Sequence, residues 1–194
     1  DGPNAVEENG GIAVVALAKY LATLPKTARR KTYVFTLTTG HMAGAYVHSF
    51  RDFIDAHPDI MKRTVASLVM EHLGSREWGD RGQDYVPTGR NQATMVLTQS
   101  KALADLVLQV SAGTIEDRVV AVNPYLKRFT GESAALITYG VPTIGIMPAP
   151  SYLLKESPHG GIEKHDPRLF RAQVANFARM LRKMDGMTRA QLSA

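Results

Sequence analysis

Two hydrophobic periods alternate along this chain. From Gly11 to Leu24 apolar residues recur with helical spacing, and the run stops before Pro25. Lys31 to Thr38 (KTYVFTLT) is rich in β-branched and aromatic residues and reads as a buried strand. Ala43 to Ala56 returns to helical spacing, and His57-Pro58 predicts its end because the residue before proline avoids the α region. Thr64 to Met70 (TVASLVM) predicts a second strand. Residues 75 to 97 are punctuated by Gly, Pro and Asp and predict a long surface loop. Beyond it the pattern predicts a helix over Ser100–Ser111 and a short strand over Arg118–Val122. A short helix or turn comes next over Ser133–Tyr139, then a strand over Val141–Met147 and a closing amphipathic helix over Pro167–Met184.

Strands separated by helices imply βαβ crossovers. The expected fold is therefore α/β, three layers, with helices on both faces of a mostly parallel central sheet. At 194 residues, with no repeat and no dividing linker, the chain is expected to form a single domain over 1–194. At 44% hydrophobic and 21% charged the composition is globular. The absence of cysteine excludes disulfide scaffolds, cysteine nucleophiles and thiolate metal sites. Net charge is +5, but the basic residues are dispersed without aromatic interleaving, so no nucleic-acid partner is expected. No stretch reaches the roughly 20 apolar residues of a membrane span. No G-x-S-x-G elbow, Walker loop or G-x-G-x-x-G appears, which argues against serine hydrolase and nucleotide-binding readings.

Sites in such sheets gather at the carboxyl ends of strands. Three places there hold candidate chemistry: Asn4–Gly11 with Glu7 and Glu8, Gly40-His41-Met42, and Glu71-His72-Leu73-Gly74. Carboxylates and imidazoles together are what a zinc site needs. Each residue also has a plainer role. Glu7 and Glu8 suit a helix N-terminus, and His41 suits a backbone hydrogen bond at a turn. Glu71 ends an apolar strand, where an unpaired carboxylate would be costly; His72 is its candidate partner. Glu132, ahead of Gly140-Val141-Pro142, is a further site candidate, and His159 sits in a Gly-rich loop within reach. Trp78, Tyr85 and Arg90 either rim a substrate cleft or are anchored residues of a surface loop. His48, His57 and His165 read as ordinary.

The order of these features resembles M28 zinc peptidases across nearly the whole chain. That family's G-x-x-D-D-x-x-G segment is similar to Asn4–Gly11 (NAVEENGG), and its G-E-E-x-G-x-x-G to Gly40-His41-Met42-Ala43-Gly44. Its D-M-x-G is similar to Glu71-His72-Leu73-Gly74. Its S-D-H-x-x-F before G-(I/V)-P is similar to Gly131-Glu132-Ser133 before Gly140-Val141-Pro142. The resemblance implies an M28-like (phosphorylase/hydrolase-like) fold and the C-terminal portion of such a domain, lacking N-terminal strands. It places Glu7 where the family has its metal-bridging Asp and Glu71 where it has a second carboxylate ligand. His41 falls at the general-base Glu and Met42 at a zinc-ligand Glu; a thioether is a poor zinc ligand. The family's late histidine ligand has no clear match, His159 being nearest, and its H-x-D segment would place its Asp at Asp1.

The resemblance thus implies a divergent metallohydrolase acting on a peptide, amide or related bond with at most one zinc. Glu7, Glu71 and His41 would hold that ion, with His72 as a further ligand candidate. His41, Glu8 or Glu132 would act on water. The alternative is a non-catalytic domain of the same type that binds a peptide, sugar or protein. A small peptide or amide substrate is the expected partner. An open sheet edge would favour either a homo-oligomer or association with an upstream segment. Location is secreted or cell-envelope if a signal was removed upstream, and cytoplasmic otherwise.

Overall fold

The computed structural model describes residues 5–7, 9–38, 49–122, 131–153 and 158–194. Helix α1 (Gly10–Thr23) comes first, then a 3-10 turn at Lys26–Ala28. Helices α2 (Ser49–Ala56) and α3 (Pro58–Arg63) come after it. Pro58 ends α2 as the sequence predicts, but it also opens α3 from a first-turn position, where its missing N–H is harmless.

Strands β1 (Ser67–Met70), β2 (Arg76–Arg81), β3 (Asp84–Asn91) and β4 (Thr94–Thr98) precede α4 (Lys101–Ser111). Then come β5 (Val119–Ala121), α5 (Ser133–Thr138), β6 (Thr143–Pro148), a 3-10 turn at Pro158–Lys164, α6 (Pro167–Asp185) and α7 (Arg189–Leu192).

The main sheet has strand order β1-β6-β4-β5. β1 with β6 and β4 with β5 are parallel, whereas β4 with β6 is antiparallel, so the sheet is mostly parallel with one reversal at its centre. Alternation along β1 sorts the two faces. Leu68 and Met70 pack on the large core built by α1, α4, α6 and α7, while Val69 packs with Ile54 of α2 and Leu136 of α5. Helices thus cover both faces, and the expected three-layer α/β/α arrangement is present.

Two segments differ from the sequence reading. Residues 75–97 are no loop: β2 and β3 form an antiparallel hairpin with a bulge between Arg76 and Trp78, and β4 is a buried strand of the main sheet. Residues 31–38 are not a ladder strand. They run beside β1 without pairing to it.

Candidate functional site

The candidate site lies where β1 and β6 finish side by side. Glu71 comes just after the last residue of β1, and its backbone N–H still donates to the Ile146 carbonyl of β6 (2.9 Å). The chain then turns sharply. His72 adopts φ 55°, a left-handed conformation that is uncommon for a residue with a Cβ. The surrounding structure holds it there. Asn9 clamps the next residue from both sides, its amide donating to the Leu73 carbonyl (2.6 Å) and its oxygen accepting from the Leu73 N–H (2.8 Å). Gly74 donates its N–H to the Gln173 side chain (2.8 Å), and the Ser75 hydroxyl donates to the His72 carbonyl (2.5 Å).

This turn aims two ionisable groups into one place. The His72 ring is buried, and its Nδ1 lies 2.8 Å from the Pro148 carbonyl. A carbonyl can only accept, so Nδ1 carries the proton of that bond. The other ring nitrogen, Nε2, then faces the Glu71 carboxylate at 3.9 Å. Glu71 Oε1 in turn accepts the backbone N–H of Glu132 at 3.0 Å, where α5 begins.

Two glycines make this approach possible. A Cβ on Gly131, which has φ 68°, would lie 2.5 Å from Glu71 Oε1. A Cβ on Gly10, at the start of α1, would collide with the Met70 carbonyl oxygen. A side chain at position 10 would push α1 off the end of β1, and one at position 131 would be strained at its positive φ and would displace the Glu71 carboxylate.

The result is a cavity of about 160 Å³ lined by Glu7, Glu71, His72 and Glu132 among others, with Thr36, Leu37 and Thr38 on one wall. Residues far apart in sequence meet here because the starts of α1 and α5 lie beside the end of β1. Glu7 is 8% exposed and sits in the turn ahead of α1. Ser133, next to Glu132, is 1% exposed and packs against the backbone at Gly145, so it offers no accessible hydroxyl.

Other expected site residues stand elsewhere. Trp78 and Tyr85 pack against one another across the hairpin with tilted rings, centroids 5.7 Å apart. The Lys164 ammonium lies 4.9 Å from the Trp78 ring centre, and the Tyr85 hydroxyl contacts Ser151 at 2.5 Å. Arg90 is committed to Glu77 at 2.8 Å. None of the three lines the cavity described above. Glu8 and His41 lie outside the described residues, as do Asp1, Met42 and His48; for His159 only the backbone, in the 3-10 turn Pro158–Lys164, is described. His165, which reads as ordinary in the sequence, is half-buried against Phe170, and desolvation pushes its pKa down, with Arg76 adding to that and Asp166 opposing it.

Asn9 and Gln173 are the candidate-site residues that sequence reading passes over. Asn9 carries a signal, since Asn before a helix suggests a cap. Its side chain makes no cap bond, however, and serves Leu73 instead. Gln173 looks like any polar residue on an amphipathic helix, yet it is fully buried.

The donor types at Glu71 and His72 suit zinc, and a histidine whose Nδ1 proton is tied to a carbonyl presents its other nitrogen as a fixed ligand. Among the described residues no group of three or more His, Asp or Glu side chains is placed to hold a metal ion. What the described geometry offers by itself is a small cavity with three carboxylates and one imidazole, suited to a cationic group, to orienting a water, or to exchanging a proton.

No family model matches the sequence, and no curated protein matches it. Among solved structures the chain is similar to an aminopeptidase from Aneurinibacillus sp. strain AM-1, with a TM-score of 0.45 and 14% sequence identity, over 69% of this chain. The match spans 29% of that protein's length.

Proposed function

We propose that this chain is a divergent hydrolase domain of the M28 peptidase type, acting on a peptide, amide or related bond. The observation that carries the reading is the placement of Glu71. Its carboxylate is fixed by the Glu132 N–H at 3.0 Å and faces the His72 imidazole, inside a cavity that Glu7 and Glu132 also line. The motif order from Asn4–Gly11 through Gly140-Val141-Pro142 supports it independently.

In this reading the Glu132 side chain is the base that takes a proton from water, because its backbone already anchors Glu71 and its side chain lines the cavity. A carboxylate so placed can return the proton to the leaving amine. Glu71 orients, held by the Glu132 N–H, and His72, locked by Pro148, stands beside it. The buried Glu7 and partly buried Glu71 carboxylates favour a cationic group on the substrate, such as a free amino terminus.

One zinc ion belongs to the proposal without entering its steps. Glu7, Glu71 and His41, with His72 as a further candidate, are the side chains that would hold it, and a bound zinc would lower the pKa of its water. The second reading, a domain that binds a peptide, sugar or protein without turnover, is favoured by one feature. His41-Met42 stands where the resemblance expects two acidic residues.

A panel of aminoacyl-nitroanilides and simple esters separates the two readings, alongside metal analysis of the purified protein. Turnover of any member supports the hydrolase; ligand binding with no turnover across the panel supports the binder. Two tightly bound zinc ions per chain would overturn the assignment of Met42.

A further inference from the structure

The helical layer on one face of the main sheet carries a groove of its own, away from the carboxylate cavity. α6 packs against both α1 and α4. An open cavity of about 800 Å³ lies over its outer face, lined by Ala16 and Tyr20 of α1, Val110 of α4, and Phe170, Val174 and Ala178 of α6 among others. It shares no residue with the cavity at the end of β1.

The apolar part of this surface begins with α1 (GGIAVVALAKYLAT), which is apolar on its outer as well as its inner side. Ala13, Leu17 and Leu21 face the core, while Ile12 (64%) and Tyr20 (42%) are exposed. A helix that is apolar all round is the pattern of one buried on every side. α1 therefore has one neighbour fewer than its sequence suits.

α6 supplies charge of a single sign. Arg171, Arg179, Arg182 and Lys183 line the groove, and among the described residues no Asp or Glu does. The hydrogen bonds of two of these cations go to neutral amides. Arg179 donates to the Asn176 side-chain oxygen (2.6 Å) and Lys183 to that of Gln109 (3.1 Å). Elsewhere Arg90 and Arg118 are met by Glu77 and Lys101 by Asp105. Four like charges over about 18 Å of helix, with no carboxylate lining the groove, set a positive field over an apolar floor.

This combination selects an occupant. A second copy docked through the same face would set cation against cation. A flat anionic surface would meet the charges and leave the recessed floor uncovered. An amphipathic helix satisfies both parts, because its apolar stripe enters a groove while its flanks stay at the rim. We propose that this groove docks an amphipathic helix of a partner protein, with acidic residues along the helix flanks. The apolar stripe of that helix sits on Val174 and Ala178, and its carboxylates face Arg171, Arg179, Arg182 and Lys183. Burial of the stripe supplies the affinity, and the charges set orientation and on-rate. The proposal does not depend on the hydrolase reading.

A displayed library of helices of about 14 residues, selected on the full chain, tests it. Each member carries a fixed leucine stripe, with the flanking positions randomised among Glu, Lys and Gln. Ala175→Trp provides the counter-selection: residue 175 is exposed at the groove, so the larger side chain fills the groove from the outside. Glu-flanked members should be enriched over Lys-flanked ones and bind the unmodified chain at least about 10-fold more tightly than Ala175→Trp. The double variant Arg171→Glu/Arg182→Glu, both at exposed positions, should weaken the best member by at least about 10-fold as well. Phosphatidylglycerol vesicles are the second probe. No enrichment, enrichment without a bias toward Glu, or equal binding to the variants would overturn the proposal. Vesicle binding that Ala175→Trp abolishes, with no helix enriched, would overturn it in favour of a membrane surface.

Discussion

The two edges of the main sheet are finished in opposite ways. At the far edge β5 is three residues long, and polar and charged groups gather at its start. Arg118 donates to the Asn91 carbonyl (2.7 Å) and to Glu77 (3.1 Å), and the Asn91 amide reaches the Glu116 carbonyl (3.0 Å). Behind it Gln173 joins Thr94 (3.0 Å) and Asp117 (3.2 Å). The Thr88 hydroxyl, Arg118 and Arg90 hold the Glu77 carboxyl below its ordinary range. At the near edge β1 has residues 31–38 beside it, unpaired. A short edge strand with charges at its start resists further pairing; a longer apolar edge is less protected. The carboxylate cavity stands at the β1 edge, with Thr36, Leu37 and Thr38 on one of its walls.

The largest predicted effect strikes the core that both edges share. Phe177, 1% exposed, packs with Val96, Ile144 and Ile146 in that core. Phe177→Ala should cost about 3–5 kcal/mol in denaturant unfolding. A loss below about 1 kcal/mol would mean that α6 does not tie the two edges together.

Next comes the near edge alone. Asn9→Ala removes both bonds to Leu73 and strands two buried backbone groups. About 2–3 kcal/mol should be lost, and hydrogen exchange should quicken around residues 71–75 while the β4–β5 pair keeps its protection. Uniform quickening across both edges would erase the distinction.

Asp185 gives a pH handle on the start of residues 31–38. Burial opposes its charge, but the N–H groups of Arg30 and Lys31, the neighbouring Tyr33 and the Lys31 ammonium outweigh that and hold its pKa below the usual carboxylate value. Burial and the Asp185 charge push the Tyr33 phenol the other way, up to about 12. A lowered carboxyl pKa contributes stability above the unfolded value near ~3.9 and loses it as pH falls through the folded value. Asp185→Asn should therefore lower stability by about 1–2 kcal/mol at pH 7, with the gap narrowing below about pH 4. A gap that stays constant from about pH 7 to about pH 3 would show that the carboxylate charge is not what holds Lys31.

The smallest effect belongs to the far edge. Arg118 is substantially exposed, so Arg118→Ala should cost less than about 1 kcal/mol and less still in high salt. A larger, salt-insensitive loss would mean that this edge is held by more than surface charge.

Much of this architecture is legible in the sequence where a segment is long and strongly periodic. α1, α4 and α6 fall within a residue or two of their expected limits. β2 and β3 are not legible because Gly79, Gly82, Pro87 and Gly89 read as loop punctuation, whereas in the hairpin they sit in or between exposed strands. β4 is hidden because five residues, TMVLT, are too few for a period to declare itself. Residues 31–38 are the converse: strand composition without a ladder.

At the site, Glu7, Glu71, His72 and Glu132 are each legible as polar residues at element ends, and the starts of α1 and α5 beside the end of β1 bring them to one cavity. Trp78, Tyr85 and Arg90 group with them only on the premise of a surface loop. The hairpin instead ties these side chains to one another, to the Pro158–Lys164 turn and to Glu77.

The most direct test of the central claim is steady-state hydrolysis of the aminoacyl-nitroanilide panel by the full chain beside its Glu71→Gln and Glu132→Gln variants, with unfolding curves run on each. The account predicts turnover by the unmodified protein and a fall in kcat/KM of at least about 100-fold in both variants at retained fold. Variants that are folded and turn over at the unmodified rate would contradict it, because hydrolysis would then be taking place somewhere other than the carboxylate site at the end of β1.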